Sequence, residues 1–237
     1  MGPYTREELL ACVIARLLGD AAHVAVGAAS PIPATACALA QARGAPLRVS
    51  VLQRRRGNPF SEGSRELFDL AGQGRIDVFF LGGAQIDGAA NINLVRAEGR
   101  RFPGSFGSAF MYFTAKKTIL FREEHSPRVL VPRVEFVSAP GSSPPGVARR
   151  GGPAALLTGM ALFAWRPEAR RFGLESVHPG HDADAVRAAT GFDYDVPAAV
   201  ATTPEPSVED LRLLRGPVAA RIAPDYPAFA RRVWDAA

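Results

Sequence analysis

Lysine is almost absent from this chain of 237 residues. Of its 28 basic residues only Lys116 and Lys117 are lysines, and the others are arginines scattered along the chain apart from short runs such as Arg54-Arg55-Arg56. A formal net charge of +5 that is spread in this way is typical of a solvated surface. We therefore expect no nucleic-acid partner, and the charge equally suits an anionic small molecule.

Cysteine, histidine and long apolar runs are equally scarce. Cys12 and Cys37 form no CxxC pair, which predicts buried thiols rather than a disulfide framework. The four histidines show no metal-ligand spacing, so no metal site is predicted. No apolar run reaches the roughly 18 residues of a membrane span, and the polar start Met1–Glu8 is unlike a signal peptide. We expect a cytoplasmic protein that does not bind membranes.

The first third of the chain alternates between two hydrophobic periodicities. The predicted helices cover residues 5–18, 33–43 and 61–71, and the predicted strands cover residues 23–27, 47–52 and 76–81. Alternating strands and helices indicate βαβ units and a largely parallel sheet. A hydrophobic content of 47% is sufficient for a full core.

The second half is richer in predicted strands. They cover residues 92–95, 118–121, 128–131 and 134–137, and a hairpin is predicted from residues 156–165 and 172–177. Residues 139–153 are rich in Pro, Gly and Ser and predict a surface loop. Short helices are predicted at 182–189 and 207–215. Because no linker or repeat interrupts the chain, we expect one α/β domain over residues 1–237, an open, largely parallel sheet flanked by helices with a β-rich second half.

The most informative stretch is Gly82-Gly83-Ala84-Gln85-Ile86-Asp87, which Asn91 and Asn93 follow closely. It comes directly after the clearest predicted strand, and ligands of open α/β sheets bind beyond the carboxyl ends of strands. Glycines there allow backbone N–H groups to approach a ligand and to stabilise an oxyanion or bind a phosphate. A tight turn that only needs glycine explains the same residues, and both interpretations stay open.

A second candidate is the small-residue loop Pro103-Gly104-Ser105-Phe106-Gly107-Ser108. Such a loop suits a pantetheine arm or a phosphate. It equally suits an ordinary turn into a core element.

A third candidate is His178, within Val177-His178-Pro179-Gly180. A histidine at this place most simply ends a strand and forms local hydrogen bonds. A catalytic base is the alternative, although no serine or cysteine nucleophile pattern accompanies it.

The order of these motifs resembles the β subunits of family I coenzyme A transferases. The similarity is greatest to the B-subunit group of the glutaconate CoA-transferases, which includes β subunits of steroid-ring-cleaving CoA hydrolases. The resemblance runs from about Glu7 to about Arg215, and Val186-Arg187 and Thr190-Gly191-Phe192 extend it beyond His178. Each motif is short, so the order and spacing carry the match.

The resemblance implies the open α/β fold shared with NagB- and ribose-5-phosphate-isomerase-like proteins. It implies an αβ or α2β2 assembly with a separate α-type subunit, an acyl-CoA thioester as substrate and no permanently bound cofactor. The loop Gly82 to Gln85 would supply backbone donors to the thioester oxyanion, as catalytic residues in that sense. The residues assigned to substrate or CoA binding are Asn91, Asn93, Pro103, Gly104, Ser105, Gly107 and His178.

The chain departs from the family at the nucleophile. A β-subunit glutamate of such transferases attacks the thioester, but the corresponding segment Ser50–Pro59 holds no carboxylate. Glu62 is the nearest carboxylate, at an expected helix start that would favour its charge, and helix capping is its simpler interpretation. Arg54 to Arg56 suit CoA phosphates or a solvated loop. The loss makes a hydrolase, with the catalytic carboxylate on the α-type partner, an alternative to a transferase.

Three functions therefore stay open. The motif order favours a subunit that processes acyl-CoA. The missing glutamate leaves room for a non-catalytic subunit that binds CoA esters or acts as a scaffold. The shared fold type leaves room for a sugar-phosphate isomerase or sensor.

Overall fold

The computed structural model describes residues 4–52, 54 and 60–235. The chain divides into two compact units, one built from residues 1–67 with 204–237 and one from residues 68–203. The first unit thus draws on both ends of the chain, whereas the second is continuous. The single domain expected over residues 1–237 stays a prediction.

Helices alternate with strands at the start of the chain, and strands predominate after its first third. The elements are α1 (Arg6–Leu18), β1 (His23–Val26), α2 (Pro31–Ala42), β2 (Arg48–Val51), α3 (Ser64–Gly72), β3 (Val78–Leu81), β4 (Gln85–Ile86), β5 (Ile92–Asn93), β6 (Arg96–Ala97), β7 (Arg100–Arg101), α4 (Ser108–Thr114), β8 (Lys117–Arg122), β9 (Pro153–Thr158), β10 (Ala161–Arg166), β11 (Arg171–Val177), α5 (Ala183–Ala189), β12 (Ala201–Thr202), α6 (Val208–Leu213), a π-helical turn Leu214–Val218, α7 (Ala219–Ile222), α8 (Pro227–Ala230) and a second π-helical turn Arg231–Asp235. None of the described helices is long and apolar enough to cross a bilayer.

The first unit holds a parallel strand pair and the helices around it. Strands β1 and β2 pair in parallel, and all four residues of β1 are buried. Helix α1 begins with the predicted capping box, because Thr5 Oγ1 accepts from the Glu8 N–H at 3.2 Å and Glu8 Oε2 accepts from the Thr5 N–H at 2.8 Å. Helix α2 begins at Pro31 rather than Pro33, since proline in the first turn forfeits no helical hydrogen bond.

The second unit is built on six strands in the order β12-β11-β10-β9-β8-β3. Pairs β3–β8, β8–β9 and β11–β12 are parallel, and β9–β10 and β10–β11 are antiparallel. Aromatic rings fill the core against β10 and β11, where Phe163 lies 5.0 Å from Tyr194 and 6.4 Å from Phe172 between ring centroids. The predicted α/β class, largely parallel sheet and β-rich second half are confirmed.

Two predicted strands, residues 128–131 and 134–137, are wrong. This stretch is an irregular segment that lies along β4, with hydrogen bonds from Ile86 N to Val129 O (2.8 Å) and from Val131 N to Ile86 O (3.0 Å). Pro132 interrupts it, because proline has no N–H for a strand ladder. The strand predicted at 92–95 shortens to Ile92–Asn93.

The predicted hairpin of residues 156–165 and 172–177 is a three-stranded meander. The run 156–165 contains the end of β9, a turn at Gly159-Met160 and most of β10. Thr158 stabilises this turn, since its Oγ1 accepts from Met160 N at 3.3 Å and from Ala161 N at 3.1 Å. The sequence did not predict this turn, because the strands on both sides of it are buried and apolar and so form one continuous apolar run.

Arg149 anchors the predicted surface loop 139–153 through three hydrogen bonds. Arg149 donates from Nε to Gly151 O (2.7 Å), from Nη1 to Pro140 O (2.7 Å) and from Nη2 to Tyr112 O (3.0 Å). Its guanidinium also lies 4.7 Å from the Tyr112 ring centre, within the range of a cation–π contact. The loop is therefore exposed along much of its length but fixed at both ends.

Candidate functional site

The chain turns sharply at Gly82-Gly83 directly after β3. A Cβ at Gly82 would lie 2.6 Å from Phe121 O, and a Cβ at Gly83 would lie 2.7 Å from Ile92 Cγ2 and 3.0 Å from Asn93 O. Both positions thus need glycine for close packing within the chain. The turn interpretation is sufficient to explain the glycines, and donation to a ligand stays a prediction.

The two residues that follow the glycines are committed to internal hydrogen bonds. The Ala84 N–H donates to Asn93 O at 2.8 Å. The buried Gln85 side chain donates from Nε2 to Glu135 Oε1 (2.9 Å) and accepts at Oε1 from Asn93 Nδ2 (2.8 Å) and from Glu135 N (3.0 Å). Asn93 in turn accepts at Oδ1 from Arg96 N (3.2 Å). The polar groups of this motif therefore build the scaffold of the turn.

The Asp87 carboxylate organises the next loop. Oδ1 accepts from the N–H groups of Ala89 (3.1 Å) and Asn91 (3.0 Å), and Oδ2 accepts from Asn91 Nδ2 (3.2 Å) and Val134 N (3.3 Å). Asn91 Oδ1 accepts from Gly141 N at 3.1 Å. These bonds hold residues 87–91 in place, although Ala90 adopts φ 59°, a left-handed conformation unusual for alanine.

An open cleft of about 490 Å³ lies beside this loop. Its lining is formed by Asp87, Gly88, Ala89, Asn91, Pro132, Arg133, Gly191, Phe192 and Asp193. The structure thus brings Asn91 together with Gly191 and Phe192 at one cleft. A concave site on which a few polar groups converge is a candidate for a binding site.

Arg133 is the residue of this cleft that sequence reasoning missed. The other charged groups of the lining have partners: Asp87 accepts four hydrogen bonds, and Asp193 Oδ1 lies 3.1 Å from Arg187 Nη2. Arg133 is exposed, so the described lining offers one accessible cation. The sequence held no signal for it, because Arg133 lies in a stretch that was predicted as the gap between two strands.

The loop 103–107 is placed elsewhere in the second unit. None of Pro103, Gly104, Ser105 and Gly107 belongs to the described lining of the cleft. Phe106 has φ 46° and is 77% exposed, and its ring lies 5.5 Å from that of Phe68. A Cβ on Gly107 would overlap the same Phe68 ring. The glycine is needed to seat Phe68, and a role in substrate binding stays a prediction.

His178 is buried at the end of β11 and uses both ring nitrogens internally. Nδ1 lies 2.8 Å from Thr203 Oγ1, and Nε2 lies 3.0 Å from Thr158 O. A base at this place would have to give up one of these hydrogen bonds. The contacts agree with a strand-ending histidine, and the assignment to substrate binding is untested.

Glu62 lies on the surface of the first unit and does not cap a helix. Helix α3 begins only at Ser64, because Gly63 has a left-handed φ of 66°. The Glu66 carboxylate holds the turn before the helix, because its Oε1 accepts from Ser61 Oγ (2.7 Å) and from Glu62 N (3.1 Å), and the Ser61 hydrogen bond lowers the pKa of that carboxyl group. The Glu62 carboxylate is 3.1 Å from Arg65 Nη1, so the predicted capping role is wrong.

The arginine run after β2 is described only at Arg54. Its Nε lies 2.9 Å from Asp225 Oδ2, so this guanidinium has a carboxylate partner within the first unit. Gln53 and residues 55–59, which include Arg55 and Arg56, lie outside the described residues. Because Arg54 is paired with Asp225, we do not count it as a phosphate-binding residue. For Arg55 and Arg56 the phosphate site stays a prediction.

Sequence reasoning also missed His125, which adjoins the cleft through Thr190. Its Nδ1 lies 2.7 Å from Thr158 Oγ1 and its Nε2 lies 2.9 Å from Thr190 Oγ1. Burial lowers the pKa of His125 to about 4, so the ring is neutral near pH 7. This histidine positions the segment that enters the cleft at Gly191.

The cysteines add no reactive centre. Cys12 and Cys37 are buried free thiols, and burial raises the pKa of each to about 12. Such thiols are protonated near neutral pH and are poor nucleophiles. Within the described part of the chain, no group of His, Cys, Asp and Glu is arranged to hold a metal ion.

Comparison with known proteins assigns the fold and motifs to one family. The coenzyme A transferase family model matches residues 45–189, more than half of the chain. The chain is 27% identical to the B subunit of the 3-oxoadipate CoA-transferase of Pseudomonas knackmussii over 91% of this chain and 94% of that one. It is 31% identical to the B subunit of the glutaconate CoA-transferase of Acidaminococcus fermentans over 58% of this chain and 55% of that one.

A solved structure gives the same answer for the fold. The decarboxylase AibA/AibB superposes with a TM-score of 0.74 at 25% identity and covers 89% of this chain and 93% of its own. The resemblance inferred from the order of the motifs is confirmed. This chain therefore belongs to the coenzyme A transferase family, and it is of the type represented there by the B subunits.

Proposed function

We propose that this chain is the β-type subunit of a heteromeric, cytoplasmic enzyme that acts on an acyl-CoA thioester. A separate α-type subunit completes it in an αβ or α2β2 assembly. The similarity to the B subunit of a CoA-transferase along 94% of that relative supports this proposal. The observation that carries it is the match of the coenzyme A transferase family model to residues 45–189, a stretch that includes the glycine turn after β3.

The glycine turn is the part of this chain that we assign to the reacting thioester. Backbone N–H groups aimed at a carbonyl oxygen stabilise the negative charge that develops there, and the loss of one such donor costs about 10²–10³ in rate. The Ala84 N–H already donates to Asn93 O, so we exclude it as a donor to the thioester. We assign that role to the N–H groups of Gly82 and Gly83. The Gln85 side chain has its role in holding the turn.

The missing glutamate decides which reaction we favour. A covalent transfer needs a nucleophile on the enzyme, and the segment Ser50–Pro59 has no carboxylate to supply one. Glu62 pairs with Arg65 on the surface. We therefore propose that the catalytic carboxylate lies on the α-type subunit and activates water, which makes the enzyme a hydrolase of CoA esters.

The cleft beside the Asp87 loop is the place that we assign to the rest of the substrate. Asn91 lines it beside the accessible Arg133 guanidinium, and arginine suits the phosphate and carboxylate groups that a CoA ester carries. The substrate is bound for the reaction only, and we propose no permanently held cofactor.

A decarboxylase is the second candidate. It is favoured by the likeness to AibA/AibB, which is a decarboxylase with the same fold over 93% of its chain. Such a reaction also fits a chain without a nucleophilic glutamate. It differs from hydrolysis in its product, because the CoA thioester persists and carbon dioxide leaves.

A ligand panel tests the substrate class before any turnover is measured. The chain is co-purified with its α-type partner, and thermal midpoints are recorded with free CoA, acetyl-CoA, ribose 5-phosphate and no ligand. We expect CoA and acetyl-CoA to raise the midpoint and ribose 5-phosphate to leave it unchanged. A rise with ribose 5-phosphate alone would replace this proposal with a sugar-phosphate function.

A further inference from the structure

Glu135 joins two separate parts of the second unit through one carboxylate. Oε1 accepts from Gln85 Nε2 at 2.9 Å and from Glu98 N at 3.0 Å, and Oε2 accepts from Glu98 N at 3.2 Å. The Glu135 N–H donates back to Gln85 Oε1 at 3.0 Å. Glu135 and Gln85 therefore form a reciprocal pair, and Glu98 is held by the same carboxylate.

Gln85 connects Glu135 to the glycine turn through Asn93. Its Oε1 also accepts from Asn93 Nδ2 at 2.8 Å, and both residues are buried. The main-chain oxygen of Asn93 accepts from Ala84 N at 2.8 Å and lies 3.0 Å from the place that a Gly83 Cβ would occupy. An unbroken series of contacts thus leads from the Glu135 carboxylate to the backbone of the glycine turn.

An ionised carboxylate suits this place better than a neutral group. Two donors, the Glu98 N–H and the Gln85 amide, converge on it and lower the pKa of Glu135, so it is charged near pH 7. Charge-assisted hydrogen bonds are stronger than neutral ones. They also offset the cost of the left-handed conformation of Glu98 (φ 52°) at the tip between β6 and β7.

We propose that Glu135 is a positioning residue of the acyl-CoA reaction, which fixes Gln85 and, through Asn93, sets the backbone of Gly82 and Gly83 against the thioester. The inference rests on the proposed function of the glycine turn. Neighbouring residues 129–134 already hold Ile86 and Asp87, so the Glu135 carboxylate adds a restraint on the turn rather than on the fold as a whole.

The test compares three variants of the complex with the α-type subunit. Glu135→Ala removes the carboxylate, Glu135→Gln keeps one acceptor oxygen, and Glu175→Gln is the matched control because Glu175 is an exposed glutamate of the same unit. We measure kcat and KM on an acyl-CoA and amide hydrogen exchange of peptides from residues 82–87 and from β9 to β11. We expect Glu135→Ala to lower kcat by about 10- to 100-fold, since small misplacements of reacting groups cost that much.

The pattern across the readouts distinguishes positioning from bulk stability. We expect KM to change less than kcat, exchange to rise at residues 82–87 only, and Glu135→Gln to recover part of the loss. The inference is overturned if kcat of Glu135→Ala stays within twofold of the control, or if exchange rises equally in β9 to β11. If the wild-type complex turns over no acyl-CoA, the proposed function fails, and unchanged exchange at residues 82–87 would separately reject the role of Glu135.

Discussion

Arg215 and Glu8 form a bidentate ion pair across 207 positions of sequence. Arg215 Nε lies 2.8 Å from Glu8 Oε1, and Nη2 lies 3.0 Å from Oε2. The Glu8 carboxylate is only 1% exposed, whereas the Arg215 side chain is 48% exposed. The pair fastens the C-terminal part of the first unit to the start of α1, where Glu8 also completes the capping box.

Arg215→Ala should destabilise the first unit because it leaves the buried Glu8 carboxylate with fewer partners. We expect a loss of about 1–3 kcal/mol in the free energy of unfolding, which is less than breaking a fully buried pair costs, because Arg215 is half exposed. Urea unfolding measures it. The matched control is Arg212→Ala, whose pair with Glu209 is exposed on both sides and should leave stability unchanged. Equal losses in both variants would contradict this account.

His125 should make stability fall in mild acid. Its pKa is about 4 in the folded chain and 6.5 for a free histidine, so between these values the unfolded state binds the additional proton and unfolding is favoured as pH falls. The contribution of neutral His125 to the free energy of unfolding is fully present above pH 6.5. It is lost progressively towards pH 4, and the loss amounts to at most about 3 kcal/mol. We expect His125→Gln to flatten the pH dependence of urea unfolding in that window.

The control for this slope is His181→Gln, an exposed histidine in the same unit. It should keep the slope of the wild type. A slope that survives in His125→Gln would show that another group is responsible.

Gly83→Ala should disable turnover while the fold persists. The new methyl group would meet Ile92 Cγ2 at 2.7 Å and two carbonyl oxygens at 3.0 Å, so the turn must shift. We expect kcat for acyl-CoA to fall about 100-fold or more, as for the loss of an oxyanion donor. Gly216→Ala is the control, because nothing lies within 4 Å of its Cβ position. A kcat within threefold of the control would remove the turn from the mechanism.

Arg149→Lys should loosen the loop at residues 139–151. A lysine ammonium cannot reproduce three hydrogen bonds in the fixed geometry of a guanidinium. We therefore expect the free energy of unfolding to fall by about 1–3 kcal/mol. Limited proteolysis should cut the variant faster within residues 142–148. Arg150→Lys, at the exposed neighbouring position, should be cut at the rate of the wild type, and equal rates in both variants would contradict the anchoring role.

The sequence predicted the fold class because local and long-range signals agree in the first third of the chain. Thr5 and Glu8 mark the start of α1, and the apolar run 76–81 marks the clearest strand, which the structure narrows to Val78–Leu81. The second half was less predictable, because the short turn Gly159-Met160 lies within an apolar run that continues through two buried strands. The Thr158 side chain stabilises this turn, and hydrophobic periodicity gives no sign of such a contact.

The candidate site was predictable in its motifs but not in its contacts. The glycine turn and Asn91 were found from the sequence, yet the network of Gln85 with Glu135 spans 50 positions and has no local pattern. Arg133 and His125 were missed for the same reason, since each acquires its setting only when distant segments meet. His178 shows the converse, because a motif residue proved to be buried with both nitrogens engaged.

The most direct test of the central claim is release of free CoA thiol by the complex of this chain with its α-type partner. An acyl-CoA panel is assayed with and without added carboxylate acceptors, and the products are identified by mass spectrometry. We predict thiol release without an acceptor, as expected of a hydrolase whose carboxylate lies on the partner. New acyl-CoA that forms only with an acceptor would mean a transferase with a nucleophile that we have not assigned, and a stable complex that neither consumes nor changes any acyl-CoA would contradict the claim.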